Sequence, residues 1–280
     1  MPSELDSVLP AMRPNPQRVY QLTSNLASVQ HRIATVASRS NIEKPIRLVA
    51  VSKLKPATDI LALYSSPSPH LHFGENYVQE LVKKSRLLPQ EIRWHFIGGL
   101  QSNKAQALAR EVKGLWAVES VDSVKKAKLL DKGRGELRSE GVSTSYEPLR
   151  VFVQINTSGE ESKSGLQPDS RELVELCKFI RDECPNLTLQ GLMTIGAIAR
   201  SWATTEGNEN EDFIHLKTTR DAVAGELGLK SDTLELSMGM SEDFEGAIVM
   251  GTDEVRIGRT IFGERSPKSE TKVLEGNLEA

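Results

Sequence analysis

The 280-residue sequence is poor in cysteine and in aromatic residues. Cys177 and Cys184 are its two cysteines, and aromatic residues make up 5% of the chain. Two thiols in one helical stretch do not form the disulfide framework of a small secreted domain, so we expect both to be semi-buried and reduced. The three tryptophans show no spacing typical of base stacking, which argues against a single-stranded nucleic-acid binder.

The sequence also lacks an excess of charge of one sign. It has 35 basic and 38 acidic side chains, interspersed along the chain, with a formal net charge of −3. This balance excludes the basic surface of most nucleic-acid-binding proteins. No apolar run is long enough to span a membrane, and the start M-P-S-E-L-D-S-V-L-P lacks the basic region of a signal peptide. These absences predict a soluble cytoplasmic protein, with a mitochondrial fraction as the alternative.

Composition divides the chain into three parts. Residues 1–16 carry four prolines and predict a disordered segment, residues 17–263 predict one folded domain, and residues 264–280 predict a polar tail. The domain opens with a helix over Gln17–Arg39, where apolar residues recur every three or four positions. Gly133–Glu147 and Ser201–Glu211 are polar insertions that predict surface loops.

Short apolar runs alternate with helical stretches through the rest of the domain. Eight strands are predicted: Arg47–Val51, Leu71–Phe73, Arg93–Ile97, Leu115–Val118, Arg150–Ile155, Leu187–Met193, Thr233–Leu236 and Glu254–Ile257. Such alternation is typical of a parallel sheet, and eight units favour a closed (β/α)8 TIM barrel with the first helix as an extra cover. An open doubly wound sheet is the alternative, but the first turn, S-K-L-K-P, lacks the G-x-G-x-x-G pattern of dinucleotide-binding sheets.

The carboxyl ends of barrel strands carry function, and two of them predict a phosphate site. The loops after the seventh and eighth strands read S-M-G-M-S (237–241) and G-R-T (258–260). Glycines allow close backbone approach, while free amides and hydroxyl groups suit a phosphate. Lys53 follows the first strand, V-A-V-S-K, and would face these loops across the barrel. A lysine there can capture an aldehyde, so the sequence predicts a phosphate-bearing aldehyde such as pyridoxal 5′-phosphate (PLP).

Longer motifs give the sequence a family resemblance. They are V-A-V-S-K (49–53), F-G-E-N-Y-V-Q-E (73–80), W-H-F-I-G-G-L-Q-S-N-K (94–104), V-Q-I-N-T-S-G-E-E-S-K-S-G (153–165), G-L-M-T-I-G (191–196), L-S-M-G-M-S-E-D-F-E-G-A-I (236–248) and V-R-I-G-R-T-I-F-G (255–263). Together they resemble the pyridoxal-phosphate homeostasis protein family, also called the proline synthase co-transcribed homologues. The family is similar in fold to the N-terminal barrel of alanine racemase, and the resemblance covers residues 17–263.

The resemblance implies a set of cofactor-binding residues. Lys53 would form the Schiff base with PLP, and Arg256 would face the pyridine nitrogen. The phosphate would be surrounded by Ser237, Gly239, Ser241, Gly258, Arg259 and Thr260. Asn76, His95 and Met193 match motif positions that line the cofactor cavity, although His95, inside an apolar strand, equally fits a core histidine. No metal site is expected, because the other histidines lack metal-ligand spacing.

Arg256 bears on what the cofactor would do. A guanidinium cannot accept a proton, so it disfavours the protonated pyridine ring that stabilises carbanions. The resemblance therefore implies a monomeric, cytoplasmic carrier in PLP homeostasis, which holds the cofactor or delivers it to apo-enzymes and converts no amino acids. Two alternatives stay open: a PLP-dependent amino-acid racemase, and a cofactor-free Schiff-base aldolase acting on a phosphorylated substrate.

Overall fold

The computed structural model describes residues 14–139, 147–160, 163–197, 200–201 and 210–264. Eight parallel strands, paired each with the next, form a closed barrel. The strands are β1 (Arg47–Val51), β2 (His72–Glu75), β3 (Arg93–Phe96), β4 (Leu115–Val121), β5 (Leu149–Gln154), β6 (Leu187–Met193), β7 (Glu235–Ser237) and β8 (Glu254–Ile257). The barrel closes where β1 pairs with β8, with Val49 opposite Arg256. The (β/α)8 prediction is confirmed.

Helices cover the outside of the barrel. They are α1 (Pro16–Arg39), α2 (Ala57–Tyr64), α3 (Val78–Leu87), α4 (Ser102–Glu111), α5 (Val124–Ser139), α6 (Arg171–Glu183), α7 (Glu211–Glu226), α8 (Phe244–Val249) and α9 (Arg259–Phe262). No helix among these described residues is both long and apolar enough to cross a membrane. Cys177 and Cys184 are free thiols, and both are buried, more deeply than the semi-buried positions expected from the sequence. Burial raises the pKa of each thiol to about 12.

Helix α1 completes the outer layer. The Asn15 side chain caps it by accepting a hydrogen bond from the Gln17 amide over 2.9 Å, and Pro16 occupies its first turn, where a missing N–H costs nothing. Its buried face, Leu22, Leu26, Val29 and Ile33, packs on α2, α8 and α9. Since α9 has four residues, α1 fills the position that a long helix after β8 would otherwise occupy. It is therefore the extra N-terminal helix that the sequence predicts, and it completes the helical layer of the barrel.

Several predicted boundaries differ from the observed ones. Strand β4 continues through Val121 and so includes Glu119 and Ser120, which the sequence prediction leaves outside. Helix α5 runs to Ser139, so the first half of the predicted Gly133–Glu147 loop is helical. Residues 140–146 and 202–209, the centres of both predicted insertions, lie outside the described residues, as do residues 1–13 and 265–280 of the predicted terminal segments.

Candidate functional site

A cavity of about 370 Å³ opens at the carboxyl ends of the barrel strands. Its walls come from the segments that follow β1, β2, β3, β6, β7 and β8. Its lining consists of Val51, Lys53, Lys55, Asn76, Ile97, Ile195, Met240, Ser241, Glu242, Arg256, Gly258, Arg259, Gly263 and Glu264. This is the end of a barrel where ligands bind.

Lys53 reaches this cavity from a tightly held turn. Strand β1 ends at Val51, and the Ser52 amide donates to the Gly74 carbonyl over 2.9 Å, which continues the ladder by one residue. Leu54 then takes a positive φ of 59°, a costly conformation for a branched side chain. Its amide donates to Glu80 Oε1 over 2.8 Å. The chain thus leaves the strand sharply, and Lys53 stands at the bend.

A buried charge cluster that the sequence analysis missed supports the turn. Lys84 Nζ donates to the Ser52 carbonyl over 2.9 Å, to Glu75 Oε1 over 2.7 Å and to Glu80 Oε1 over 2.6 Å. The Ser52 hydroxyl also donates to Glu75 Oε1, over 2.6 Å. Glu75 is fully buried and Lys84 is 6% exposed. The signal in the sequence is the four-residue spacing of Glu80 and Lys84, which is indistinguishable from that of an ordinary surface pair on a helix.

Two loops form the wall expected to hold phosphate. Ser241, Gly258 and Arg259 line the cavity, whereas Gly239 and Thr260 do not. Gly239 shapes the β7 loop instead: its φ is 96°, and a Cβ there would lie 2.6 Å from the Ala247 Cβ. Residues 241–243 form a turn, and α8 begins at Phe244.

Arg256 extends from β8 into the cavity, and two hydrogen bonds hold its guanidinium group. Its Nη1 donates to Ser237 Oγ over 2.5 Å, and its Nη2 donates to the Thr194 carbonyl over 2.6 Å. Arg256 is 4% exposed, and Ser237 is fully buried beneath it. Ser237 therefore contacts Arg256 and does not line the cavity, in contrast to the phosphate role that the resemblance implies.

His95 and Met193 also lie away from the cavity. Met193 packs inside the barrel with Ala117 and Phe152. His95 is fully buried, with its Nδ1 2.8 Å from Glu119 Oε1 and its Nε2 2.8 Å from His72 Nδ1. The core interpretation of His95, which the sequence left open, agrees with these contacts.

The residues of the cavity fit a molecule of the predicted type. Asn76 Oδ1 is buried and has no hydrogen-bond partner within the described ranges, so it is available to a ligand donor. Four cationic side chains, Lys53, Lys55, Arg256 and Arg259, face two carboxylates, Glu242 and Glu264, which leaves the lining positive enough for a phosphate. Ile97, Ile195 and Met240 supply apolar walls that suit an aromatic ring. Sequence analysis did not single out these three residues.

The geometry defines a class: single-barrel proteins with an amine-bearing, anion-accepting cavity at the carboxyl ends of the strands. The family model described as alanine racemase, N-terminal domain, matches residues 24–266. A pyridoxal phosphate homeostasis protein of Caenorhabditis elegans is 45% identical over 248 residues, 88% of this chain and 96% of that protein. Its Schizosaccharomyces pombe counterpart is 40% identical over 250 residues, 89% of this chain and 97% of that protein.

The chain belongs to the alanine racemase N-terminal domain family, in the group of the pyridoxal phosphate homeostasis proteins. Among solved structures, PipY of Synechococcus elongatus with PLP bound is 29% identical, with a TM-score of 0.60, over 82% of this chain and 100% of PipY. An alanine racemase of Clostridium difficile is 16% identical, with a TM-score of 0.58, over 89% of this chain and 58% of the racemase. The second likeness is one of fold.

Proposed function

We propose that this chain binds PLP in the cavity at the carboxyl ends of its strands and acts in intracellular PLP homeostasis. The observation that carries the proposal is that Lys53 and the Ser241 and Gly258–Arg259 loops line the same cavity. Relatives of nearly the same length are named as PLP homeostasis proteins, and PipY has been solved with PLP bound.

Different residues of the cavity hold different parts of the cofactor. Lys53 is the amine that condenses with the aldehyde of PLP, which supplies a reactive carbonyl that can be held and released. Ser241, Arg259 and the Gly258 backbone hold the phosphate, and Gly239 shapes the first of these loops. Arg256 would face the pyridine nitrogen, and Asn76 Oδ1 would accept a hydrogen bond from the cofactor. Ser237 contributes by fixing Arg256, whereas His95, Met193 and Thr260 serve the surrounding barrel.

The same cavity is poorly equipped for turnover of amino acids. A racemase needs a second base on the face opposite its lysine. No tyrosine, cysteine or histidine lines the cavity within the part of the chain that is described. Its other basic groups have partners at the rim: Lys55 Nζ donates to the Glu264 carbonyl over 2.5 Å, and Arg259 pairs with Glu242 and Glu264. Carrier function is therefore favoured over the racemase alternative.

A reduction experiment tests the binding mode. The purified protein, saturated with PLP, is treated with borohydride and digested, and the modified peptide is identified by mass spectrometry. We expect a visible absorbance band before reduction and the label on Lys53. The variant Lys53→Arg keeps the charge and should carry no label at this position. A label on Lys55 or Lys163 in the wild-type protein would refute the assignment.

A further inference from the structure

A row of hydrogen-bonded polar side chains runs through the barrel interior beneath Arg256. The Ser237 hydroxyl, which accepts from Arg256, lies 2.7 Å from Glu119 Oε2 and 2.8 Å from Glu254 Oε1. Glu119 continues the row through its other oxygen to His95, and His95 continues it to His72. Glu119, Glu254, Ser237 and His95 are all fully buried. The proposed binding mode uses Ser237 of this row and none of its other members.

One of the two contacts between Ser237 and the carboxyl groups needs a hydrogen that neither Ser237 nor Arg256 can supply. Ser237 Oγ carries a single hydrogen and accepts from Arg256, so it can donate to Glu119 or to Glu254 but not to both. The other carboxyl group must bring its own hydrogen to the contact. Two carboxylates this close in a dry interior also cannot both stay ionised. The geometry therefore requires one proton shared by Glu119 and Glu254.

The charges around Glu119 and Glu254 also indicate one shared proton. Arg47 Nη1 lies 3.0 Å from Glu254 Oε2 and 2.7 Å from Glu235 Oε2, and Arg256 Nη1 lies 3.9 Å from Glu119 Oε2. Two guanidinium groups thus face three carboxyl groups, and one proton makes the set neutral. The charged or titratable groups that face the pair are Arg47, Arg256 and His95, and His95 is in turn faced by Glu235, Arg150 and His72.

The direction of each pKa shift agrees with this arrangement. Burial, followed by the neighbouring Glu119, raises the pKa of Glu254 to about 7. Burial raises the pKa of Glu119. Burial lowers the pKa of His95 to about 4, so this imidazole stays neutral and the proton stays with the carboxyl pair.

A metal ion is a weaker interpretation of the same residues. Ligand atoms of His95, Glu119 and Glu254 lie within 4.8 Å of one another. Arg47 and Arg256, however, already supply positive charge to these carboxyl groups, and a divalent cation would have to displace or repel them. The shared proton needs no such rearrangement.

We propose that Glu119, Glu254 and Ser237 are positioning residues for Arg256, and that the proton shared by the two carboxyl groups sets how Arg256 meets the cofactor ring. This inference rests on the proposed placement of PLP in the cavity. With the proton present, Ser237 can hold Arg256 against the cavity wall while the cluster is neutral. When the proton leaves, the added negative charge draws the guanidinium towards Glu119 and away from the ring. The protonation of the barrel interior thus controls retention of the ligand.

The test compares the wild-type protein with Glu119→Gln, Ser237→Ala and the control Glu235→Gln. Glu235 pairs with Arg47 but contacts neither Ser237 nor Arg256 within the described residues, so its variant perturbs the same charge cluster without touching the row. PLP affinity and the visible absorbance maximum are measured from pH 5.5 to 8.5. We expect the wild-type protein to show one transition near neutral pH and Glu235→Gln to show it at a lower pH, because loss of this carboxylate leaves Arg47 to Glu254 and favours the ionised pair. Glu119→Gln should abolish it, and Ser237→Ala should lower affinity roughly ten-fold at all pH values.

A second measurement uses the protein without cofactor. Carbon NMR of labelled glutamate carboxyl groups should show Glu119 and Glu254 titrating as a coupled pair well above the ordinary glutamate range. Both groups ionised at pH 5.5, or a pH transition unchanged in Glu119→Gln and Ser237→Ala, would overturn the inference. Absence of PLP binding in the wild-type protein would instead refute the proposed function, and the apo-protein titration would still decide the shared proton.

Discussion

Lys84 Nζ and Glu75 Oε1 lie 2.7 Å apart in the interior, directly beneath the turn that presents Lys53. The ammonium group simultaneously contacts the Ser52 carbonyl. A buried ion pair is costly to desolvate and weak evidence for stability, but removal of one partner leaves an uncompensated charge. We infer that the pair fixes the geometry of the turn that presents Lys53.

Lys84→Met should strongly destabilise the protein, because it leaves Glu75 and Glu80 without their cation. We expect a loss of about 3–5 kcal/mol in the free energy of unfolding and a lower yield of Lys53 reduction by borohydride. Arg86→Met is the matched control on the same helix: its pair with Glu111 is exposed, so its cost should stay below about 1 kcal/mol. Urea unfolding with comparison of m-values measures both. Equal, small losses in the two variants would show that the buried pair has no structural role.

Ser241→Ala and Gly258→Ala should weaken PLP retention without unfolding the barrel. A hydrogen bond to a charged group contributes on the order of 1.5–3 kcal/mol, which corresponds to a loss of roughly ten- to a hundred-fold in affinity. In Gly258→Ala the new Cβ would lie 3.3 Å from the Val51 carbonyl oxygen and reduce the space for phosphate in the cavity. Titration of the apo-proteins with PLP measures the effect. Ser85→Ala, on the outer helix α3, is the control, and wild-type affinity in both loop variants would place the phosphate elsewhere.

Gly239→Ala should cost more than Gly228→Ala, although both glycines have positive φ. Gly228, at φ 68°, has open space at its Cβ position, so its variant should lose only the left-handed preference of about 1–2 kcal/mol. Gly239, at φ 96°, would also force a contact with Ala247 and shift the loop that carries Ser241. Thermal unfolding should rank the two variants, and only Gly239→Ala should lose PLP affinity. The reverse order would show that Gly239 does not shape the binding site.

Glu254→Gln should change the pH dependence of stability. Because the pKa of Glu254 is about 7 in the folded protein, above its ordinary 4.5, the folded state keeps a proton that the unfolded chain releases. This contribution is complete below pH 4.5 and is lost as the pH rises through 7, to a total on the order of 3 kcal/mol. Burial lowers the pKa values of His70 and His95, so these histidines act in the opposite sense: they reduce the free energy of unfolding as the pH becomes acid, because the unfolded chain takes up protons that they do not.

The difference between the stability curves of the wild type and Glu254→Gln, from pH 5 to 8, reports Glu254 together with its interaction with His95, whose Nδ1 lies 3.6 Å from Glu254 Oε2. Exposed Glu111→Gln supplies the control curve. Parallel curves for wild type and Glu254→Gln would mean that Glu254 is ionised throughout the range.

Amino-acid turnover should be negligible. The PLP-loaded protein is incubated with L-alanine and other amino acids in heavy water, and deuterium at the α-carbon is measured together with chirality. Without a second base opposite Lys53, we expect no exchange above that of free PLP, whereas ordinary enzymes turn over at about 1–10³ per second. Exchange at such rates that disappears in Lys53→Arg would restore the racemase alternative.

The sequence predicts the barrel well because each of its main signals is local. Strands β1, β6 and β8 have their predicted bounds, since a short run rich in apolar residues marks each of them. The placement of Lys53 follows from the same rule, because it directly follows the first of these runs. Ser241, Arg256 and Arg259 likewise follow from strand order and loop position.

The interior charges were not predictable in this way. Glu119 follows the apolar run of β4 and reads as the start of a loop, yet it lies within the strand because His95 and Ser237 satisfy its carboxyl group. Those partners are 24 and 118 residues away in sequence. Lys84 resembles any surface lysine of a helix until Glu75 arrives from β2. Pairing across the barrel, and not local spacing, decides which charges are buried.

Helix α1 has a consequence for how the chain is made. The Arg18 guanidinium donates to the Phe262 carbonyl and the Asn25 amide donates to the Ile261 carbonyl, contacts that span 244 and 236 residues. During synthesis α1 emerges well before α8 and α9, two of the three helices on which its apolar face packs. Contacts this distant form slowly, so the nascent helix must stay without these two partners until β8 has left the ribosome. Chaperone demand should accordingly be highest for chains arrested just short of Ile261.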